Sequence, residues 1–222
     1  DMKPNRFMLA LAALCFAAGG ASAQQTDGKS VAPKTYKAYM VSDAHLDTQW
    51  NWDVQTTIRE YIPRTLFQNL YLMERFPDYR FSFEGGVVYS WMKEYYPMHY
   101  ERMKKYIASG QWHIAGASWD ANDPNMPSAE SFFRNILLGQ EFYKKEFGVR
   151  STDIFLPDCF GFVASMPSVL AHAGIEGFST QKLTWRSAAG IPFNVGFWQG
   201  PDGKGVVAAL NATKYAGRIP ER

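Results

Sequence analysis

The apolar positions change period along the chain in a regular way. Residues 56–76 place Ile58, Ile62, Leu66, Leu70 and Met73 at helical spacing, with Pro63 expected to kink the helix. Residues 79–83 read as a strand that ends at Glu84-Gly85-Gly86. A second helical region spans 87–108, is interrupted at Pro97 and closes at Gly110. Residues 112–117 read as a further strand, followed by a loop over 118–127 rich in Asp, Asn and Pro. A helix then opens at Ser128-Ala129-Glu130-Ser131, where Ser128 and Ser131 are both capping candidates, and runs to about Phe147. The apolar strand 153–156 follows and runs into Pro157-Asp158-Cys159-Phe160-Gly161-Phe162. After it come a helix over 164–173 stopped by Gly174, a strand over 177–181, and strand-like runs at 193–199 and 205–211 joined through Pro201-Asp202-Gly203 as a hairpin. Upstream, residues 36–41 read as the first strand, leading into Ser42-Asp43-Ala44-His45-Leu46-Asp47.

Strands alternating with helices imply an α/β fold, a parallel sheet with helices outside it. A barrel is preferred over an open sheet because His45, Glu84, Asp123 and Asp158 each fall at or just after the end of a successive strand, so one face collects them. No glycine-rich phosphate loop follows the first strand, which argues against a nucleotide fold.

The start of the chain has a different logic. Lys3 and Arg6 precede an apolar run from Phe7 to Ala18, and Ala21-Ser22-Ala23 supplies a small-residue cleavage site. Residues 1–23 are therefore expected to be a signal peptide, too short in its apolar run to span a bilayer, with 24–34 a flexible leader and 35–222 the folded part. This predicts a secreted or periplasmic protein with Gln24 as its mature N-terminus and no transmembrane segment. The net charge of +2 comes from scattered residues and suggests neither nucleic acid nor an acidic membrane surface. Of the two cysteines, Cys15 lies in the signal segment, so Cys159 has no disulfide partner within the mature chain.

Candidate chemistry concentrates at two strand ends. Residues two apart on an extended chain point the same way, so His45 and Asp47 can present an imidazole and a carboxylate to one point. Asp158 sits where a reactive carboxylate is expected in an α/β architecture. One imidazole with carboxylates suits zinc, at about 2.0–2.2 Å, whereas magnesium or calcium favours more oxygens. His99 and His172 fall in helices and His113 in a strand, where packing or surface roles are the expectation. Trp50, in a loop after His-x-Asp, could form an exposed wall for a sugar.

Four ordered stretches carry a family resemblance. His45-Leu46-Asp47-Thr48-Gln49-Trp50, Trp119 through Asp123 with Pro127-Ser128-Ala129-Glu130-Ser131, Leu156-Pro157-Asp158-Cys159-Phe160-Gly161, and Thr180-Gln181-Lys182-Leu183-Thr184-Trp185 together resemble glycoside hydrolase family thirty-eight, the α-mannosidases. The resemblance runs from about Tyr36 to Asn211. It implies a zinc-dependent, retaining exo-α-mannosidase acting on mannose-containing glycans, its catalytic domain a seven-stranded β/α barrel of which this chain is the N-terminal, incomplete part. His45, Asp47 and Asp158 match family zinc ligands, and Asp158 also matches the nucleophile. Trp50 and Phe160 match aromatic residues of the sugar subsite, with Asp123 and Lys182 as further substrate contacts. The family's fourth zinc ligand and its acid/base are expected downstream of Arg222. Phe162, where many members have histidine, and Lys182, where some have arginine, depart from the pattern and leave linkage preference open. Two alternatives are a non-catalytic carbohydrate-binding remnant and a metal-dependent carbohydrate deacetylase; the latter needs a closely spaced histidine pair, which His45, His99, His113 and His172 do not supply.

Overall fold

The structure is a computed structural model that describes residues 40–184 and 190–210. The expected signal segment and leader, residues 36–39 of the first expected strand, Trp185 and Asn211 lie outside the described residues. In chain order the elements are β1 (Ser42–Ala44), α1 (Val54–Thr56), a π-helical turn (Thr57–Tyr61), α2 (Ile62–Arg75), β2 (Phe81–Phe83), α3 (Gly86–Tyr95), α4 (Pro97–Ala108), β3 (Trp112–Ile114) and α5 (Ala129–Phe147). They continue with β4 (Asp153–Phe155), α6 (Met166–His172), β5 (Gly177–Thr180), a 3₁₀ turn (Lys182–Thr184), β6 (Val195–Gln199) and β7 (Gly205–Leu210).

Local chemistry explains the boundaries. Pro63 has no N–H, and its ring crowds the carbonyl four residues back; the ladder widens into the π turn just before it, in place of the expected kink. Pro97 separates α3 from α4 as its missing donor requires. Ser128 caps α5, its Oγ accepting from the Ser131 N–H at 3.2 Å, and Gly148 ends it in the left-handed region at φ 71°. β1 begins at Ser42, later than the strand expected over 36–41, so the polar-apolar alternation there is the strand itself.

β1, β2 and β3 form a parallel sheet, with Ser42 opposite Phe81 and Phe81 opposite Trp112. The second sheet has the order β4-β5-β7-β6, parallel except for β6, which returns antiparallel to β7 as the expected hairpin. The fold is thus the expected α/β arrangement of parallel strands with helices outside, and the described strands make sheets of three and four and not a continuous arc of the expected incomplete seven-stranded barrel. β3 and β4 are joined through side chains instead of a backbone ladder. The Gly116 N–H donates to Asp153 Oδ2 at 3.1 Å, and His113 Nε2 lies 3.6 Å from Asp153 Oδ1.

Each sheet buries one face under helices. Phe81, Phe83 and Trp112 pack with Tyr89, Met92 and Met103 of the helices in one core. Ile154, Leu156, Phe178, Val206 and Ala208 pack with Leu170 in the other. The intervening residues Ser82, His113, Asp153 and Ser179 line the opposite, concave face. This alternation is why Ser82 and His113 stand as polar residues between the apolar core positions of β2 and β3.

Helix α5 fixes the loop that follows β3. A Cβ built on Gly139 would lie 2.2 Å from the Ala117 carbonyl oxygen and 2.7 Å from the Trp119 nitrogen. Around this contact, Asn135 O accepts from the Trp119 N–H at 2.9 Å and the Tyr143 hydroxyl donates to Ser118 O at 3.1 Å. An alanine in a helix is normally worth up to ~1 kcal/mol over glycine. Here Gly139→Ala is expected to destabilise by about 1–3 kcal/mol through overpacking, measured by denaturant unfolding.

The His113–Asp153 tie gives a pH prediction. The bond to Asp153 raises His113 above its ordinary 6.5. Burial pushes Asp153 up, but the bonds from His113, Gly116 and Ser151 outweigh it and hold the carboxyl below 3.8. The raised His113 contributes fully below 6.5 and loses its contribution as pH rises through its folded value; the depressed Asp153 contributes above 3.8 and loses as pH falls. The difference in unfolding midpoint between wild type and His113→Gln should be largest between about pH 4 and pH 6.5 and fade as pH rises through the raised folded value of His113. Its size should stay below ~1 kcal/mol because His113 is exposed.

Candidate active site

His45 leaves the end of β1 beside Glu84 at the end of β2, because Ala44 pairs with Phe83 in the parallel register. His45 Nδ1 is 2.7 Å from Glu84 Oε1, and its Nε2 is 3.3 Å from Asp47 Oδ1. The backbone carbonyl of Thr48 accepts from the Thr57 hydroxyl at 2.8 Å, pinning the loop to the π turn, and the Thr48 hydroxyl donates to Asp120 Oδ2 at 3.2 Å. Asp120 is held by Asn135 of α5, which accepts from its N–H at 3.0 Å and donates to its carbonyl at 2.7 Å.

The opposite wall comes from the loop after β4. Asp158 Oδ1 is paired with the buried Lys182 ammonium, whose Nζ also lies 4.8 Å from the centre of the Phe160 ring. Cys159 Sγ donates to Asn122 O at 3.2 Å, and Asn125 Nδ2 donates to Gly161 O at 3.0 Å, stitching this loop to residues 122–125. Asp123 Oδ1 accepts from the Asn125 N–H at 2.8 Å. Together His45, Asp47, Asn122, Asp123, Asp158 and Phe160 line a cleft of about 300 Å³. A larger hollow of about 460 Å³ opens elsewhere, against Phe155, Ser179 and Asn194, but it carries no imidazole and no pair of carboxylates. The chemistry lies in the smaller one.

Electrostatics in the cleft are dominated by anions. Burial would push His45 down, yet the Glu84 bond and the charges of Glu84, Asp47 and Asp158 outweigh it, leaving His45 above its ordinary value. Burial raises Glu84, partly offset by its bond to His45. Both shifts say that the pair retains a proton. Burial also raises Asp120, with its bond from Thr48 opposing. Among the described residues Asn122 Oδ1 is a buried acceptor without a hydrogen-bond partner.

The structure therefore brings together His45, Asp47, Asp123, Asp158 and Phe160, with Lys182 beneath them. It does not bring Trp50, which is 72% exposed and stands edge-on to Trp52 at 5.8 Å, outside the lining. Among the described residues no three His, Cys, Asp or Glu side chains stand close enough to hold a metal ion. His45 and Asp47 meet as a pair, while Asp158 is drawn to Lys182. His99 packs on Phe67 at 4.2 Å and His172 bonds Asp202 at 2.9 Å, as their helical positions suggested. Glu84, Asp120 and Asn122 received no role from the sequence. Glu84 stood out only as a strand-end residue.

The family profile described as "Glycosyl hydrolases family 38 N-terminal domain" matches residues 35–221. The chain is 39% identical over 171 residues to Alpha-mannosidase G of Dictyostelium discoideum, covering 77% of this chain and 16% of that protein. It is 34% identical over 192 residues to human Alpha-mannosidase 2C1, covering 86% of this chain and 18% of that protein. The chain thus spans about a sixth of the length of these curated relatives. The crystal structure of an α-mannosidase from Enterococcus faecalis V583 superposes with a TM-score of 0.67 at 22% identity, covering 79% of this chain and 20% of that one, a likeness of fold.

One consequence of the cleft's charge concerns its thiol. Burial, together with the charges of Glu84, Asp123 and Asp158, pushes the Cys159 thiol up to about 12. At pH 8 its thiolate fraction is then roughly a thousandfold below that of an ordinary cysteine. Alkylation of Cys159 by iodoacetamide, followed by peptide mass mapping, should be on the order of 10²–10³-fold slower than for a free cysteine.

Proposed function

Because the chain belongs to glycosyl hydrolase family 38, we propose that the whole protein is a retaining, zinc-dependent exo-α-mannosidase acting on mannose-containing glycans. The observation that carries this reading is the convergence of Asp158 with the His45–Asp47 pair on one cleft at the strand ends. Asp158 is the nucleophile. Its carboxylate attacks the anomeric carbon of a terminal mannose as the glycosidic oxygen departs, giving a glycosyl ester that water then hydrolyses. A second carboxyl group about 5–5.5 Å away protonates the leaving oxygen and afterwards deprotonates the water. Lys182 holds Asp158 Oδ1, which orients the attacking group. Phe160, 81% exposed beside it, offers a face to the sugar ring. Asp123 at the rim is placed to accept from sugar hydroxyls.

The donor set fits zinc in kind: one imidazole, carboxylates from two loops, and an acid-rich cleft with an unpartnered buried carbonyl at Asn122. His45 and Asp47 form the standing half of that site, and Asp158, now shared with Lys182, is its third member. When bound, the metal supplies Lewis acidity and a hold on sugar hydroxyls. We read the two sheets as arcs of one β/α barrel wall, supported by the Asp153 link from β3 to β4. The basic, apolar and small-residue pattern of residues 1–23 supports export to the periplasm or beyond.

Two measurements test the proposal on the intact enzyme. Asp158→Asn keeps volume and removes the attacking anion, so turnover of an aryl α-mannoside should fall on the order of 10⁴-fold or more while circular dichroism is unchanged. Chelation should abolish activity and added zinc restore it, with His45→Ala and Asp47→Ala losing zinc and turnover together. Full activity of the chelated enzyme would refute the metal role. Glycan binding without any turnover by wild type would favour a non-catalytic sugar-binding protein.

A further inference from the structure

Glu84 is a carboxylate in an expensive place. It is 8% exposed, it lies near the carboxyl groups of Asp120 and Asp153, and the bond that it makes within its pocket is to His45 at 2.7 Å. A carboxyl group removed from water costs stability unless its partner is well placed. Its surroundings are built to hold it still. The backbone on either side is set by Phe83 in β2 and by Gly85 leading into α3. Behind it, Gly116 takes φ 69°, and a Cβ built there would lie 3.4 Å from Glu84 Cβ and 3.5 Å from Oε2. Gly116 is itself anchored by its N–H to Asp153. The carboxylate therefore has little room to swing away from His45.

An imidazole has two nitrogens, and a ring bonded to a carboxylate through one must offer the other elsewhere. A carboxylate only accepts, so Nδ1 carries the proton toward Glu84. In the neutral ring Nε2 then carries the lone pair, and it faces the cleft 3.3 Å from Asp47 Oδ1. We propose that Glu84 is a positioning residue that fixes the tautomer and ring orientation of His45, so that Nε2 is presented with Asp47 to a divalent cation in the cleft. This rests on the zinc reading above. It adds an outer partner whose only route to the chemistry is through His45.

The test measures zinc affinity, by competition with a chromophoric chelator, alongside the unfolding midpoint of the metal-free intact enzyme. Glu84→Met fills the same buried volume with no polar group; zinc affinity should fall ~10–100-fold while the midpoint stays within a few degrees. Glu84→Gln keeps an acceptor oxygen for Nδ1–H and should recover most of the affinity. Glu84→Asp keeps the charge but withdraws the oxygen by one methylene, and should bind zinc as poorly as Glu84→Met. This variant also decides the matter if Glu84→Met does not fold. Equal affinities across the series would overturn the assignment. So would a loss that Glu84→Gln does not recover, or one that Glu84→Asp escapes. Wild type is the separate arm: if it binds no zinc under conditions where it is folded, the metal reading fails first and this assignment with it.

Discussion

Parallel pairing in level register is the constraint on which the rest depends. Ala44 sits opposite Phe83, and Phe83 opposite Ile114, so β1, β2 and β3 finish at one height. Whatever follows each strand is delivered to the same rim. His45 and Glu84 are immediate neighbours for that reason alone, although 39 residues separate them in sequence. The second sheet repeats the device: Leu156 N–H is bonded to Ser179 O just beyond the β4–β5 ladder, so the Asp158 loop and Lys182 leave from adjacent positions. Burial of alternate strand residues under the helices makes this register costly to shift, since a slip of one residue would turn Phe81, Phe83 and Trp112 outward.

The cleft that results has too many anions for its size. Asp47, Glu84, Asp120, Asp123 and Asp158 gather around one histidine and one buried lysine. The protein manages part of this internally, by the proton retained on the His45–Glu84 pair and by the ammonium set against Asp158. Lys182 is then a resident counter-charge to Asp158, and its ammonium also faces the Phe160 ring, 4.8 Å from the ring centre.

Much of this was readable from residue order, for identifiable reasons. The helices declared themselves through long stripes such as Ile58, Ile62, Leu66 and Leu70, and through a local break at Pro97 and a start signal at Ser128, both of which act within a few residues. The site residues His45, Asp47 and Asp158 were visible because they follow strands and carry chemistry. The strands were harder. They are three to six residues long, and β1 carries Asp43 on the concave face, so its apolar signal is weak. The link between the two sheets runs through Asp153 to Gly116 and His113, contacts that have no local signature. Trp50 is exposed as its loop position suggested, but that its ring stands against Trp52 and outside the cleft lining is set by packing that residue order does not specify. Glu84 had a signal, a carboxylate between an apolar strand and two glycines, but its partner lies on another strand.

Helix α5 acts as a mechanical anchor for the loop after β3. Asn135, Gly139 and Tyr143 fall four residues apart on one face, and all three touch the backbone of residues 117–120. The acidic wall of the cleft is thereby bolted to a helix of nineteen residues instead of hanging between two strands. Its amide protons should exchange with solvent on the helix's timescale, not that of a surface loop, and any shift of α5 along its axis would carry Asp120 with it. The depth of the cleft is thus gauged from outside the sheet, by a helix that contributes no side chain to the lining.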